Sequence, residues 1–332
     1  MAPLSASVLR LDAAQETARI SRVLRESVLH VMKRRGAVVG LSGGIDSSLS
    51  AALCVRALGA DRVLGLLMPE TDSSSETTAL GQLVGRALGI RTIVEDIAPI
   101  LEAAGCYARR DRAIKEVVPD YAPGDRSKIV LPNALDNDGY KVFSVVVESP
   151  DGRQRRARLT ADAYLGILAA TNFKQRVRKM MEYYYADRFQ SAVVGSPNRL
   201  EYDQGFFVKL GDGAADIKPI AHLYKTQVYQ LAEYLDIPED IRRRAPTTDT
   251  YSLAQSQEEF YFSLPLDKLD LCLYGLEHNI SPAEVGAVVG LTEEQVRRAY
   301  RDIVSRRRAT RYLHMVPVLM EDVLKDATVA CS

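Results

Sequence analysis

From Asp12 to Arg35 apolar residues recur at helical spacing, at Ala18, Val23, Leu24, Val28, Leu29 and Met32, and Gly36 ends the segment. The short run that follows, Ala37–Leu41, shows no alternation, which suits a strand buried on both faces of a parallel sheet. A polar loop over 42–48 gives way to a helical pattern at Leu49, Ala52, Leu53 and Leu58, closed by Gly59. Arg62–Met68 predicts a second strand, a helix through Leu80–Leu88 stops at Gly89, and Arg91–Val94 predicts a third strand. Helical periodicity returns across Ala161–Ala186. Ser191–Val194 then reads as another buried strand, and a helix runs from about Lys225 to Leu235. Strands alternating with helices predict βαβ units, hence an α/β fold with a parallel sheet and helices on both faces.

The pattern breaks between Pro119 and Leu159, where Pro, Gly, Asn and Asp cluster. Val142–Glu148 and Gln154–Leu159 flank Pro150-Asp151-Gly152, which predicts an inserted β-hairpin. We take residues 119–160 as an insertion in a domain spanning 12–275, and 276–332 as a C-terminal helical extension. Two helix starts in that extension, Ser281-Pro282-Ala283-Glu284 and Thr292-Glu293-Glu294-Gln295, carry the capping-box pattern.

Charge narrows the function classes. The 43 basic and 43 acidic residues cancel, so no global attraction to nucleic acid or an anionic membrane is expected. Arg297, Arg298, Arg301 and Arg306–Arg308 invite a helix-turn-helix reading, but the zero net charge favours helices packed on the catalytic domain. The four cysteines are scattered without a CxxC, which argues against a disulfide framework or zinc site. The N-terminus lacks the features of a signal peptide, and no apolar run approaches the roughly 20 residues needed to span a bilayer. A cytoplasmic protein without nucleic-acid or membrane partners is expected.

The chemistry is concentrated in Ser42-Gly43-Gly44-Ile45-Asp46-Ser47-Ser48, between a predicted strand and a predicted helix. Two glycines allow a tight turn and close approach of a ligand. Free N–H groups at the helix start, with the hydroxyls of Ser42, Ser47 and Ser48, make a nest for an anion. Asp46 would repel phosphate on its own, so a carboxylate there implies a bridging Mg²⁺. No lysine follows the glycines, which separates this loop from GxxxxGK[ST].

This loop resembles the PP-loop of the ATP-pyrophosphatases, which cleave ATP between its α and β phosphates. A second block selects among them. Residues 194–201, VGSPNRLE, lead into Gly205-Phe206-Phe207-Val208-Lys209, Gly211-Asp212-Gly213, Asp216-Ile217-Lys218-Pro219 and Leu223-Tyr224-Lys225-Thr226-Gln227-Val228. The order is similar to the NAD synthetase signature. Asn172–Met180 resembles that family's NxxxRxRM helix, and Ala245-Pro246-Thr247-Thr248 its PTA/PSA turn.

The resemblance implies a Rossmann-like fold of the adenine nucleotide alpha hydrolase type and a ligase that adenylates a carboxylate and then amidates it. The acid is expected to be deamido-NAD, with ATP, Mg²⁺ and ammonia as the other reactants. Asp46, Lys225, Asp212 and Thr247 are the expected catalytic residues. Ser42, Gly43, Gly44, Asp46, Ser47, Ser48, Ser196, Lys225 and Thr247 are expected on ATP and pyrophosphate. Lys174, Arg176, Arg178, Lys209 and Asp216 are expected on the substrate, and Asp46 with Glu201 on the metal. Taken singly, Lys225 reads as a solvated helix residue and Asp212 as a turn residue; their order beside the loop changes that.

Relatives are homodimers. Glutamine-dependent ones carry a nitrilase-like domain ahead of the PP-loop, for which the 41 residues before Ser42 are too few. Free ammonia, or a separate glutaminase partner, is therefore expected. The chain departs from the family at Met68-Pro69-Glu70, where an aromatic often follows the proline, at the insertion, and at Thr310-Arg311-Tyr312-Leu313-His314. Those departures keep open an amide synthetase for another acid. A non-catalytic nucleotide-binding regulator is the remaining class, and retention of Asp46, Glu201 and Lys225 counts against it.

Overall fold

The chain opens with α1 (Ala13–Arg25), continued by a π-helical stretch over Glu26–Val31, and enters β1 (Gly36–Gly40). Next come α2 (Ile45–Leu58), β2 (Val63–Leu67), α3 (Ser75–Ala87), β3 (Arg91–Val94), α4 (Ala98–Ala103) and α5 (Cys106–Lys115). β4 (Arg126–Val130), β5 (Ser144–Glu148) and β6 (Gln154–Arg158) precede the 29-residue α6 (Ala161–Phe189) and β7 (Ser191–Val194). The rest is helical: α7 (Arg199–Gln204), α8 (Lys225–Tyr234), α9 (Glu239–Arg243), α10 (Leu266–Glu277), α11 (Pro282–Val289) and α12 (Glu293–Thr310). This computed structural model describes residues 4–131, 143–247, 250–255, 261–262 and 264–321.

The four apolar runs form one parallel sheet in the order β3-β2-β1-β7, with Val38 aligned to Leu64 on one side and Val193 on the other. Alternate strand residues feed two cores. Ala37, Val39 and Leu41 pack with Ile20, Leu24, Leu49, Leu53 and Leu231 of α1, α2 and α8. Val38, Leu64, Leu66 and Val193 pack with Ile97, Leu101, Cys106, Val177 and Ala186 on the opposite face. Helices therefore cover both faces, as the runs without alternation implied. Strand order reverses direction at β1, and the crevice beyond the C-terminal ends of β1 and β7 is where such sheets bind ligands.

The insertion differs from its expectation. The hairpin is present as β5 and β6, and β4 joins it to make a three-stranded antiparallel sheet. Arg126-Ser127-Lys128-Ile129-Val130 hides this strand behind two cations, although its Ser127, Ile129 and Val130 are buried. Val142, placed in the hairpin by the sequence pattern, lies outside the described residues, as do 132–141. Ile129, Val145 and Val147 share a core with Ala113 and Ile114 of α5, Ala163 and Ile167 of α6, and Tyr251.

At the C-terminus α10 joins α11 and α12 in one apolar cluster with Leu200 and Tyr224. Several arginines of α12 are already partnered: Arg307 with Asp203 and Glu277, Arg306 with Asp302, Arg297 with Glu293, and Arg301 with Glu294. The helices pack on the domain and do not present a bare cationic face. Among the described residues no helix is long and apolar enough to cross a membrane.

Candidate active site

The loop after β1 turns at Gly43, whose φ of +67° favours glycine and where a Cβ would strike Leu80 and the Thr77 carbonyl. Gly44 caps α2, and its carbonyl accepts from Ser47 Oγ at 3.1 Å and Ser48 Oγ at 2.8 Å. Ser42 Oγ meets Ser47 Oγ at 3.1 Å. The serines thus stiffen the turn, while the N-terminus of α2 faces a cavity of about 760 Å³. A helix N-terminus open to such a cavity favours an anion.

Asp46, in the first turn of α2, is gripped from two sides. Lys225 Nζ, at the start of α8, donates to its Oδ2. Asn198 Nδ2 donates to its Oδ1 at 3.1 Å. Asn198 also caps α7: its Oδ1 accepts from Glu201 N at 3.2 Å, and Glu201 Oε2 accepts from Asn198 N at 3.1 Å. Burial alone would lower the Lys225 pKa, but Asp46 and then Glu201 outweigh it, so the ammonium is held charged above its usual range. Asp270 of α10 accepts from Lys225 N at 3.2 Å and from Thr226 N at 2.7 Å and Oγ1 at 2.8 Å, fixing the start of α8.

Most of the expected site residues converge here. Ser42, Gly44, Asp46, Ser47, Ser196, Glu201, Lys225, Thr247, Asp212, Arg176, Arg178 and Lys209 all line the cavity. Asp212 is half-buried, its loss of solvent raises its carboxyl, and it accepts from Val208 N at 2.8 Å. Arg178 reaches Met68 O at 3.4 Å, and Lys209 Nζ donates to the carbonyls of Tyr312 and Met315 at 2.8 and 3.1 Å. Two expected substrate residues sit elsewhere. Lys174 is fully buried among Glu70, Asp72 and the Thr250 carbonyl. Asp216 accepts from Val193 N at 2.8 Å and Tyr183 OH at 3.2 Å, and so tethers its loop to β7. Thr248 lies outside the described residues.

Four features beyond the expected site residues complete the site. Asn198, inside the 194–201 block, grips Asp46 without lining the cavity itself. Lys179 and Glu182 form a buried pair on α6 that reaches the floor, so close that a Cβ on Gly40 would meet Glu182 Oε1. Arg244, bonded to Thr77 Oγ1 at 3.3 Å, and Arg306 of α12 add cations to the rim. Spacing along the helix could have flagged Lys179 and Glu182, which lie three residues apart; the others meet the site only through tertiary folding.

Comparison with known proteins agrees with the geometry. A family model described as NAD synthase matches residues 16–120 and 153–317. The chain is 59% identical over 319 residues to an NH(3)-dependent NAD(+) synthetase of Rhizobium meliloti, covering 96% of this chain and 95% of that protein. It is 37% identical over 246 residues to the enzyme of the same name from Thermotoga neapolitana, covering 74% of this chain and 79% of that one. Among solved structures, an NH3-dependent NAD synthetase from Campylobacter jejuni aligns with a TM-score of 0.61 at 23% identity, covering 94% of this chain and all of that one (100%). An NMN synthetase from Francisella tularensis aligns at 0.60 and 21%, covering 93% and 99%. These two share the fold, and the sequence matches fix the kinship: the chain belongs to the NAD synthase family.

Proposed function

We propose that the chain converts deamido-NAD, ATP and ammonia to NAD, AMP and pyrophosphate. The reading is carried by the Lys225–Asp46 pair at the anion loop, in a chain 59% identical to an NH(3)-dependent NAD(+) synthetase along nearly its whole length. The substrate carboxylate attacks the α-phosphorus, the bond to the β-phosphate breaks, and pyrophosphate leaves into the loop over 42–48. Ammonia then attacks the acyl carbon of the adenylate, and AMP departs with the C–O bond. The start of α2 and the Lys225 ammonium supply positive charge where the leaving group gains negative charge. Thr247 and Ser196 offer hydroxyls to the phosphates. Asp212, whose burial favours its taking up a proton, is suited to receive one released by the nitrogen.

Mg²⁺ fits the donors present. Asp46 and Glu201 are two hard carboxylates on the cavity wall, both close enough to act on the Lys225 charge, and substrate phosphates bring further oxygens. When bound there, the ion offsets charge on the pyrophosphate. Arg176, Arg178 and Lys209 are assigned to the anionic groups of the dinucleotide. A homodimer belongs to this reading, with Leu165, Met180 and Tyr184 exposed along α6 as apolar surface available to it.

The test is release of AMP and pyrophosphate from ATP, Mg²⁺ and ammonium with and without deamido-NAD. AMP formation that depends on deamido-NAD and equals NAD formation supports the reading. Turnover confined to the mononucleotide acid, the substrate type suggested by the Francisella tularensis neighbour, replaces it with the other amide synthetase.

A further inference from the structure

The family match passes over residues 121–152, where β4 and β5 stand. One edge of β4 pairs with β5, and the other meets the segment 250–255. Ser127 N donates to Ser252 Oγ at 2.8 Å, Leu253 N donates to Ser127 O at 3.2 Å, and Gln255 Nε2 donates to Ile129 O. Tyr251 is buried in the core that the inserted sheet shares with α5 and α6. From the inner side Lys174 Nζ donates to Thr250 O at 2.8 Å while it holds Asp72 Oδ2 at 2.6 Å and faces Glu70 Oε1 at 3.0 Å. The segment is gripped from two directions.

Its position makes that grip matter. It follows closely on Ala245-Pro246-Thr247, and Thr250 and Tyr251 line the same cavity as Leu131 and Phe143 at the ends of the insertion's strands. Connecting segments of this kind are ordinarily the least stable parts of a fold and open locally at little cost. Here several of its polar groups are bonded and its aromatic ring is buried, so opening would leave polar groups of β4 and α6 without partners.

We propose that the insertion is a positioning element for the reaction: the outer edge of β4, with Lys174, holds residues 250–255 in place before ligand binds, so that Thr247 meets ATP from a preset chain. The role of Thr247 rests on the amidation reading, whereas the clamp does not. Lys174 is then a positioning residue: it donates to Asp72 and the Thr250 carbonyl, and its charge lies 3.0 Å from Glu70 Oε1. A ligand that finds the segment already ordered keeps the affinity it would otherwise spend on ordering. When the ordered fraction drops, apparent affinity falls in proportion and the rate at saturation does not.

The test uses the full chain and three measurements: amide exchange by peptide, ATP–Mg²⁺ affinity by calorimetry, and steady-state kinetics. Ser127→Pro removes the N–H that points away from β5 to Ser252, and Ser127 is not itself a residue of the cavity wall. Exchange over 250–255 is expected to rise at least about fivefold, the ATP Kd and KM about three- to tenfold, and kcat to stay within about twofold. Lys174→Met should move all three in the same direction. Ser252→Ala, which removes the side-chain hydroxyl and leaves the backbone bond from Leu253 N, should move them less and serves if Ser127→Pro does not fold. Unchanged exchange in these variants, or faster exchange with unchanged ATP affinity, overturns the proposal. Normal ATP binding with no amide formed from any acid would sink the amidation reading, while exchange and ATP affinity still decide the clamp.

Discussion

Lys225 and Lys174 make an instructive pair. Both are lysines on helices, both are buried, and both are held by carboxylates, yet their helices cover opposite faces of the sheet. The Lys225 side chain is 2% exposed, but its partner Asp46 is 17% exposed and lies on the cavity. The Lys174 side chain is 0% exposed, and its partners Glu70 and Asp72 are 0% and 7% exposed. Burial of a cation is therefore no sign of its job. What separates the two is whether the counter-charge is open to a ligand. An open carboxylate can trade its lysine contact for a metal or phosphate, whereas a closed set of acceptors can only hold the protein together.

The largest expected effects test that separation directly. Asp46→Ala or Lys225→Met should lower kcat/KM by about a thousandfold or more, since preset charge aimed at a developing anion is among the strongest catalytic contributions. With Lys225→Met, stability should move by no more than about 1 kcal/mol, because the Asp46 carboxylate it leaves is reachable by water. Lys174→Met should do the reverse on the stability side. It strands Glu70 and Asp72 in the interior, although Arg110 remains with Asp72 and Tyr107 OH with Glu70 at 2.9 Å. A loss of about 3–5 kcal/mol in denaturant unfolding is expected. Equal stability losses in the Lys225→Met and Lys174→Met variants would break the comparison.

The same contrast explains what could be read before folding. The central strands were legible because a strand buried on both faces needs a run without alternation, and 37–41, 62–68 and 191–194 are such runs. The PP-loop was legible because its glycines, serines and aspartate lie in one stretch. Lys225 and Glu201 emerged from family order, and the structure brings both to the cavity with Asp46. Lys174 came from the same kind of evidence and sits beneath the wall, since a helix motif gives spacing and not which way each side chain points. β4 and α5 were missed for a related reason. Arg110 in α5 is buried between its neighbour Asp111 and Asp72, 38 residues earlier, and no local pattern announces the distant partner.

Asp270 sharpens the comparison from behind Lys225. Burial pushes its carboxyl up to about 6 from an ordinary 3.8, while the bonds from Thr226 and Lys225 pull the other way. A carboxyl raised in the folded state keeps a proton that the unfolded chain has released. Its contribution to stability therefore declines as pH rises from about 4 to about 6 and is level above that, by up to about 3 kcal/mol. Asp270→Asn should flatten that interval in unfolding measured against pH. Because the start of α8 loses an acceptor, kcat should also fall, by about three- to tenfold. A flattened stability profile with unchanged kcat would mean that α8 holds Lys225 without help from α10.

The smallest effect lies between α1 and the approach to α8. Glu16 accepts from Arg19 Nε at 2.8 Å and bonds His222 Nε2 at 2.7 Å, three residues before Lys225. The Arg19 bonds chiefly, with His222 helping against burial, pull its carboxyl down to about 2 from 4.5. The sign is opposite to that of Asp270: stability from Glu16 is present above about 4.5 and disappears as pH falls toward about 2. The group is partly exposed, so solvent screening should hold the whole contribution to under about 1 kcal/mol. Glu16→Gln should remove that acid-side slope and leave turnover at neutral pH unchanged, since Asp270 and Asp46 already fix both ends of the Lys225 residue, main chain and ammonium. A drop in kcat would show that the approach to α8 is set from the surface, and the open lysine would then depend on its surroundings as much as the closed one does.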